Sequence, residues 1–159
     1  MKIKTDLADE AIGPSNTEMV TWTDLYATGI ERIDNQHKEL VLLTNELFQA
    51  CRTSQEAVEM VFKDAMHRMV DYVRFHFSTE QKLLEQINFP EYADHKKQHE
   101  SLVKQILEAA KEFEAGKKWT PHNFVRTLKD WVFSHIAITD KIYAAYVQEE
   151  KKKGLLLDL

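Results

Sequence analysis

Little in this chain punctuates or cross-links a fold. Its 159 residues include one cysteine, Cys51, with three prolines and four glycines. A single cysteine excludes an internal disulfide framework and a thiolate-rich zinc site, and it fits a reducing compartment. Scarce glycine and proline, with little strand-like alternation, leave long uninterrupted helices as the simplest reading. No apolar run approaches the roughly 18 residues that span a membrane. The opening MKIKTDLADEAIGPSNTE has none that would serve as a secretion signal. Positive charge is not gathered either. The formal net charge is −5, and apart from KKK at 151–153 the lysines are scattered. No basic stripe is available for nucleic acid. The expectation is a cytoplasmic protein with no membrane span and no nucleic-acid partner.

What is present is helical periodicity. Residues 1–18 are polar and read as a loose N-terminal arm, and residues 19–33, MVTWTDLYATGIERI, read as an ordered, non-helical lead-in carrying Trp22 and Tyr26. A first helix is expected to open at Asp34 as N-cap and run to about Arg52, with Leu40, Leu43 and Leu47 on its apolar side. Ser54 is the expected N-cap of a second helix, helped by Glu56 in its first turn and running to about Gln86. Val61, Ala65, Met69, Tyr72 and Val73 recur along it at helical steps. After INFP a third helix starts at Pro90 and runs to about Ala115, before Gly116. Thr120 and Pro121 open a fourth, which runs to about Lys153, before Gly154, with Phe124, Leu128, Trp131, Ile138 and Ile142 on its apolar side. Four amphipathic helices with short links predict an all-α, up-down-up-down four-helix bundle over residues 19–153. The apolar tail at 154–159, ending LLLDL, is expected to pack against the bundle end.

Several histidines fall where apolar residues belong. His37 shares a helix face with Leu40, Val41, Leu47 and Phe48, all within about 80° of it. His76 follows Met69 and Tyr72 at helical steps, and Glu80 comes four later. The stretch DHKKQHE puts His95 and His99 about 40° and 6 Å apart on a helix, ahead of Leu102, Ile106 and Ala109. His135 continues Leu128 and Trp131, with Asp140 five later. A buried imidazole needs a partner. Five of them with two carboxylates, drawn from all four helices, are satisfied together by one shared metal centre. The other two histidines serve as controls. His67 lies about 180° from His76, and His122 about 140° from His135, so both are expected on the surface.

By ligand type alone, imidazole and carboxylate suit iron, zinc, manganese or copper. Seven ligands exceed the four that a tetrahedral zinc takes. Two octahedral ions offer about twelve positions. Two bridging carboxylates, five histidines and one shared oxygen fill all but one of them. One ion then has three histidines and is full, and the other has two and is open to a small molecule such as dioxygen. The five-residue step from His135 to Asp140 is awkward, since it spans about 140° on an ideal helix. Either a π-type turn brings the two into line, or the site is straddled by both.

These residues resemble a known family. The aromatic lead-in WTDLYATGIERIDNQH at 22–37, then HFSTE at 76–80, HKKQH at 95–99 and HIAITD at 135–140, is similar to the hemerythrins, and in particular to the single-domain bacterial ones. The likeness covers roughly residues 20–145, and all seven ligand positions occur in order. It implies two iron ions, bridged by an oxo or hydroxo group and by Glu80 and Asp140. His95, His99 and His135 would hold one iron, and His37 and His76 the other, which keeps a position for dioxygen. Leu40, Phe77, Trp131, Val132 and Ile136 are candidates for the wall of a dry pocket, with Trp22 and Tyr26 as structural cover.

The implied function is reversible dioxygen binding, for storage or for delivery to an oxygen-using enzyme, by a monomer. A histidine-rich set is less suited than a carboxylate-rich one to splitting the O–O bond, which favours a carrier over an enzyme. An oxygen sensor acting through a partner is one alternative, but no output module is in view. A di-iron peroxidase or nitric oxide scavenger is another, but no separate general acid stands out.

Overall fold

The computed structural model describes residues 18–52, 55–116 and 121–155. They form α1 (Glu31–Ala50), α2 (Gln55–Gln86), α3 (Tyr92–Glu114), α4 (Pro121–Ser134) and α5 (Asp140–Lys152). A π-helical turn, His135–Thr139, joins α4 to α5, so these two make one rod. The lead-in carries a single 3-10 turn, Asp24–Tyr26. Among the described residues there is no strand, and no helix is long and apolar enough to cross a membrane. α1 packs on α2, α2 on α3 and α3 on α4, and α1 closes the ring against α4. This is the expected four-helix bundle.

Helix starts depart from the sequence reading. α1 opens three residues before Asp34, with extended Ile30 at the N-cap position and no side-chain cap. The Asp34 carboxylate reaches back instead. It accepts from Thr28 N at 2.6 Å, Thr28 Oγ1 at 2.8 Å and Gly29 N at 3.1 Å. It therefore ties the lead-in to the first turn rather than capping the helix. Gly29 has φ +77°, and a Cβ there would come within 3.2 Å of Gln148, so a side chain is disfavoured twice. α3 begins at Tyr92, with Pro90 in the turn before it. α2 ends at Gln86, as read, where Asn88 adopts φ +52° and Phe89 N donates to Leu84 O. Gly116 and Gly154 follow α3 and α5 as expected, both at positive φ. Ser54, Thr120, the Glu56 side chain, arm residues 1–17 and tail residues 156–159 lie outside the described residues. Leu155 is 67% exposed and does not pack.

The π turn explains the largest correction. Ile138 and Ile142 were expected on the core face of the fourth helix, yet they are 68% and 45% exposed. One extra residue in the turn rotates everything after it, so that Asp140, Tyr143, Ala144 and Val147 face inward instead. Val61, read as core on α2, is also exposed, and Phe62 beside it is fully buried.

The interior has two apolar clusters. The larger includes Leu47, Phe62, Met66, Phe124 and Leu128. The smaller joins Ile33, Leu84, Phe89, Tyr143 and Val147. Each large side chain so buried contributes roughly 1.5–3 kcal/mol. Between the clusters, along every rod, lies a layer of polar residues.

Candidate metal centre

The seven residues singled out in the sequence converge in that layer. His37, His76, Glu80, His95, His99, His135 and Asp140 are each no more than 4% exposed. The two control histidines face out. His67 pairs with Glu114 at 2.8 Å on the surface, and His122 is exposed.

The residues fall into two overlapping sets. Glu80, His95, His99, His135 and Asp140 bring one ligand atom each to within 4.8 Å of one another, and so do His37, His76, Glu80 and Asp140. Glu80 and Asp140 belong to both. Asp140 Oδ1 faces His135 at 3.0 Å and His95 at 3.5 Å, while its Oδ2 faces His37 at 3.3 Å. Glu80 is split likewise, with Oε1 toward His37 at 3.6 Å and Oε2 toward His99 at 3.3 Å. The π turn makes this geometry. Asp140 N–H donates to His135 O, five residues back, which turns both side chains inward together.

Local hydrogen bonds do not satisfy the cluster. His37 Nδ1 and Nε2, His76 Nε2, Glu80 Oε2, His95 Nε2 and both Asp140 carboxylate oxygens are buried without a hydrogen-bond partner. His99 Nε2 and His135 Nε2 confront each other at 2.9 Å. An orphaned buried polar atom costs about 1–3 kcal/mol. Seven together would rival the roughly 5–15 kcal/mol that stabilises a whole domain. Lone pairs of nitrogen and oxygen aimed at common points are what a cation satisfies, so the donor set fits metal. Thr44, a buried polar residue of α1, is by contrast satisfied, since its hydroxyl donates to Leu40 O at 2.7 Å.

Electrostatics follow from the same crowding. Burial pushes His37 down, but Asp140 and Glu80 outweigh it and raise its pKa to about 9. For His76 burial dominates, with Glu80 the one carboxylate within 4 Å, and its pKa falls to about 4. Burial also lowers His99. Burial would raise Glu80, but the surrounding histidines, His76 first, hold it well below the usual carboxylate range. Asp140 is likewise lowered by His135 and His37, against burial and the Glu80 charge.

A second layer of side chains orients these groups. Gln36 Oε1 accepts from His76 Nδ1 at 2.9 Å, which fixes the ring N–H there and leaves Nε2 aimed inward. Gln36 Nε2 donates to Thr79 Oγ1 at 3.4 Å. Gln81 lies 3.4 Å from His99 Nδ1. Tyr143 donates to Glu80 Oε1 at 2.5 Å. Burial, and then the Glu80 and Asp140 charges, hold the Tyr143 hydroxyl well above its ordinary pKa, so it keeps its proton. The sequence reading missed these partners. Tyr143 was findable, one helical turn beyond Asp140. Gln36 and Gln81 each adjoin a site residue in the chain, but adjacency on a helix does not imply contact.

Two residues of the expected wall meet the cluster directly. Phe77 stacks flat on His99, with centroids 3.7 Å apart at 3°. Trp131, partly buried, stacks on His135 at 4.9 Å and 7°. Leu40, Val132 and Ile136 are buried. Trp22 and Tyr26 cover the outside. Tyr26 meets Phe133 edge-on at 5.2 Å, and Lys38 sits over Trp22.

A helical bundle holding a buried histidine–carboxylate cluster of this kind defines a class of metal-binding helical proteins. Within that class the comparisons are specific. Residues 28–147 match the Hemerythrin HHE cation binding domain, and the chain belongs to the hemerythrin family. It is 33% identical to a bacteriohemerythrin of Stenotrophomonas maltophilia, over 82% of each chain. It is 29% identical to the bacteriohemerythrin of Methylococcus capsulatus, over 79% of this chain and 94% of that one. A crystal structure of wild-type hemerythrin superposes with a TM-score of 0.74 at 27% identity, covering 80% of this chain and 96% of the other.

Proposed function

We propose that this chain holds two iron ions and binds dioxygen reversibly, storing it or handing it to an oxygen-using enzyme. His95, His99 and His135 would hold one ion and His37 and His76 the other, with Glu80 and Asp140 shared between them. The observation that carries this reading is the pair of overlapping ligand sets that share only the two carboxylates, one with three histidines and one with two. The set with fewer protein ligands is the one left with room for a gas molecule. Iron held there would supply reversible electron transfer to dioxygen.

The protein's part is to bind, orient and exclude. Gln36 fixes the His76 ring, and Tyr143 fixes Glu80. Phe77, Trp131, Leu40, Val132 and Ile136 keep water from the site, which protects a bound gas from side reactions. A carrier, rather than an enzyme, is supported by what surrounds the cluster. Among the described residues, the buried polar groups other than the seven are Thr28, Gln36, Thr44, Thr79 and the Tyr143 hydroxyl, and that hydroxyl is committed to Glu80 and held well above its ordinary pKa, which makes it a poor general acid. All seven ligands come from one chain, so the site needs no second copy, and the protein is read as a cytoplasmic monomer.

The test is anaerobic loading with ferrous iron, followed by optical spectra as air is admitted and withdrawn. The reading predicts a visible band that appears with dioxygen and vanishes on its removal. Immediate, irreversible passage to the ferric form would overturn the carrier reading in favour of a scavenger.

A further inference from the structure

Glu80 and Asp140 span the same two ligand sets but are not equivalent. Neither oxygen of Asp140 accepts a hydrogen bond. Glu80 Oε2 also stands bare, whereas Glu80 Oε1 accepts a short bond, 2.5 Å, from Tyr143. Oε1 is the oxygen nearest His37, at 3.6 Å, while Oε2 faces the three-histidine set at His99, 3.3 Å, and His95, 3.6 Å, with His76 of the other set farther at 3.7 Å. The tyrosine cannot turn away. Its side chain is fully buried, edge-on to His95 at 5.5 Å and to Phe89 at 6.4 Å.

We propose that Tyr143 is a positioning residue that tunes the centre asymmetrically. Its hydroxyl draws charge from the single Glu80 oxygen on the His37 side, and so raises the reduction potential of the ion held there. A hydrogen bond to a carboxylate makes that oxygen a weaker donor, and a weaker anionic donor favours the lower-valent ion. Tyr143 thereby helps the ion nearest the open position stay ferrous between encounters with dioxygen. The inference rests on the two-iron reading above.

The test compares wild type, Tyr143→Phe and Tyr146→Phe. Tyr146 is a control, because its hydroxyl donates to Ile87 O outside the site. Each protein is loaded anaerobically with ferrous iron, its iron content and melting temperature are measured, and its midpoint potential is determined by redox titration. All three are expected to fold and to take up equal iron. The Tyr143→Phe midpoint should fall by about 59 mV, a tenfold change in the ferric-to-ferrous ratio of a one-electron couple, while Tyr146→Phe stays at the wild-type value. A Tyr143→Phe protein with full iron and an unchanged midpoint overturns the proposal. So does a folded Tyr143→Phe that binds no iron, since Tyr143 would then serve assembly rather than tuning. If Tyr143→Phe does not fold, full replacement of tyrosine by 3-fluorotyrosine, a more acidic donor, decides the matter. A raised midpoint supports the tuning role and an unchanged one overturns it. A wild type that takes up no iron would reveal itself at the elemental analysis, and would overturn the two-iron reading and this inference with it.

Discussion

The layer around Phe62 and the layer around His37 are built on the same rods, yet they solve burial in opposite ways. Phe62 is fully buried against Phe113 at 5.1 Å and Phe124 at 5.9 Å, ring on ring, with Leu47 and Met66 in the same cluster. That layer is complete in itself. The His37 layer is just as deeply buried but leaves seven polar atoms without hydrogen-bond partners. One layer supplies stability, and the other spends some of it to hold donor atoms aimed at a cation. In such a bundle the functional residues are found by asking which buried atoms remain unsatisfied, not which residues are buried.

The largest expected effect lies in the polar layer. Asp140→Ala removes a member of both ligand sets, and iron bound by the folded chain should fall to none, as read by elemental analysis. Retention of one ion would show that the two sets are independent. Next in size, Phe62→Ala should destabilise the protein by about 3–5 kcal/mol in denaturant titration, while iron per folded chain stays at the wild-type value. Parallel loss of iron would mean that the apolar layer also shapes the site.

A smaller effect is the pH dependence of metal-free protein, which between about pH 4 and 9 should come chiefly from the polar layer. His37, raised to about 9, contributes stability that is full below its unfolded value near 6.5 and is lost as pH rises through 9. His76, lowered to about 4, is neutral when folded, so stability is also lost as pH falls from about 6.5 through 4. The melting temperature should therefore decline on both sides of the near-neutral range. Replacing His37 by Gln should remove the alkaline limb and leave the acid one. Smallest of all, His67→Ala and Ile138→Ser should change stability by no more than about 0.5 kcal/mol and leave iron content unchanged, since both side chains are exposed.

Most of the site was legible because helical spacing places side chains by simple rotation. Four-residue steps put His76 with Glu80 and His95 with His99, and the same arithmetic sent His67 and His122 outward. The step from His135 to Asp140 was legible as an anomaly, and a π turn was one of two resolutions weighed. Its consequence downstream was not drawn, so Ile138 and Ile142 were taken for core while Tyr143 went unremarked. Asp34 was misread because a capping side chain and one that reaches back to a lead-in look alike in sequence. Only the positions of Thr28 and Gly29 tell them apart. Gln36 and Gln81 depend on contacts between rods, which one-helix periodicity does not encode.

The most direct test of the central claim is to measure gas uptake against metal content in the same anaerobically loaded sample. Two irons per chain, and one dioxygen taken up per pair of irons and recovered under vacuum, is the predicted result. A single metal per chain, or dioxygen consumed and not returned, would contradict it.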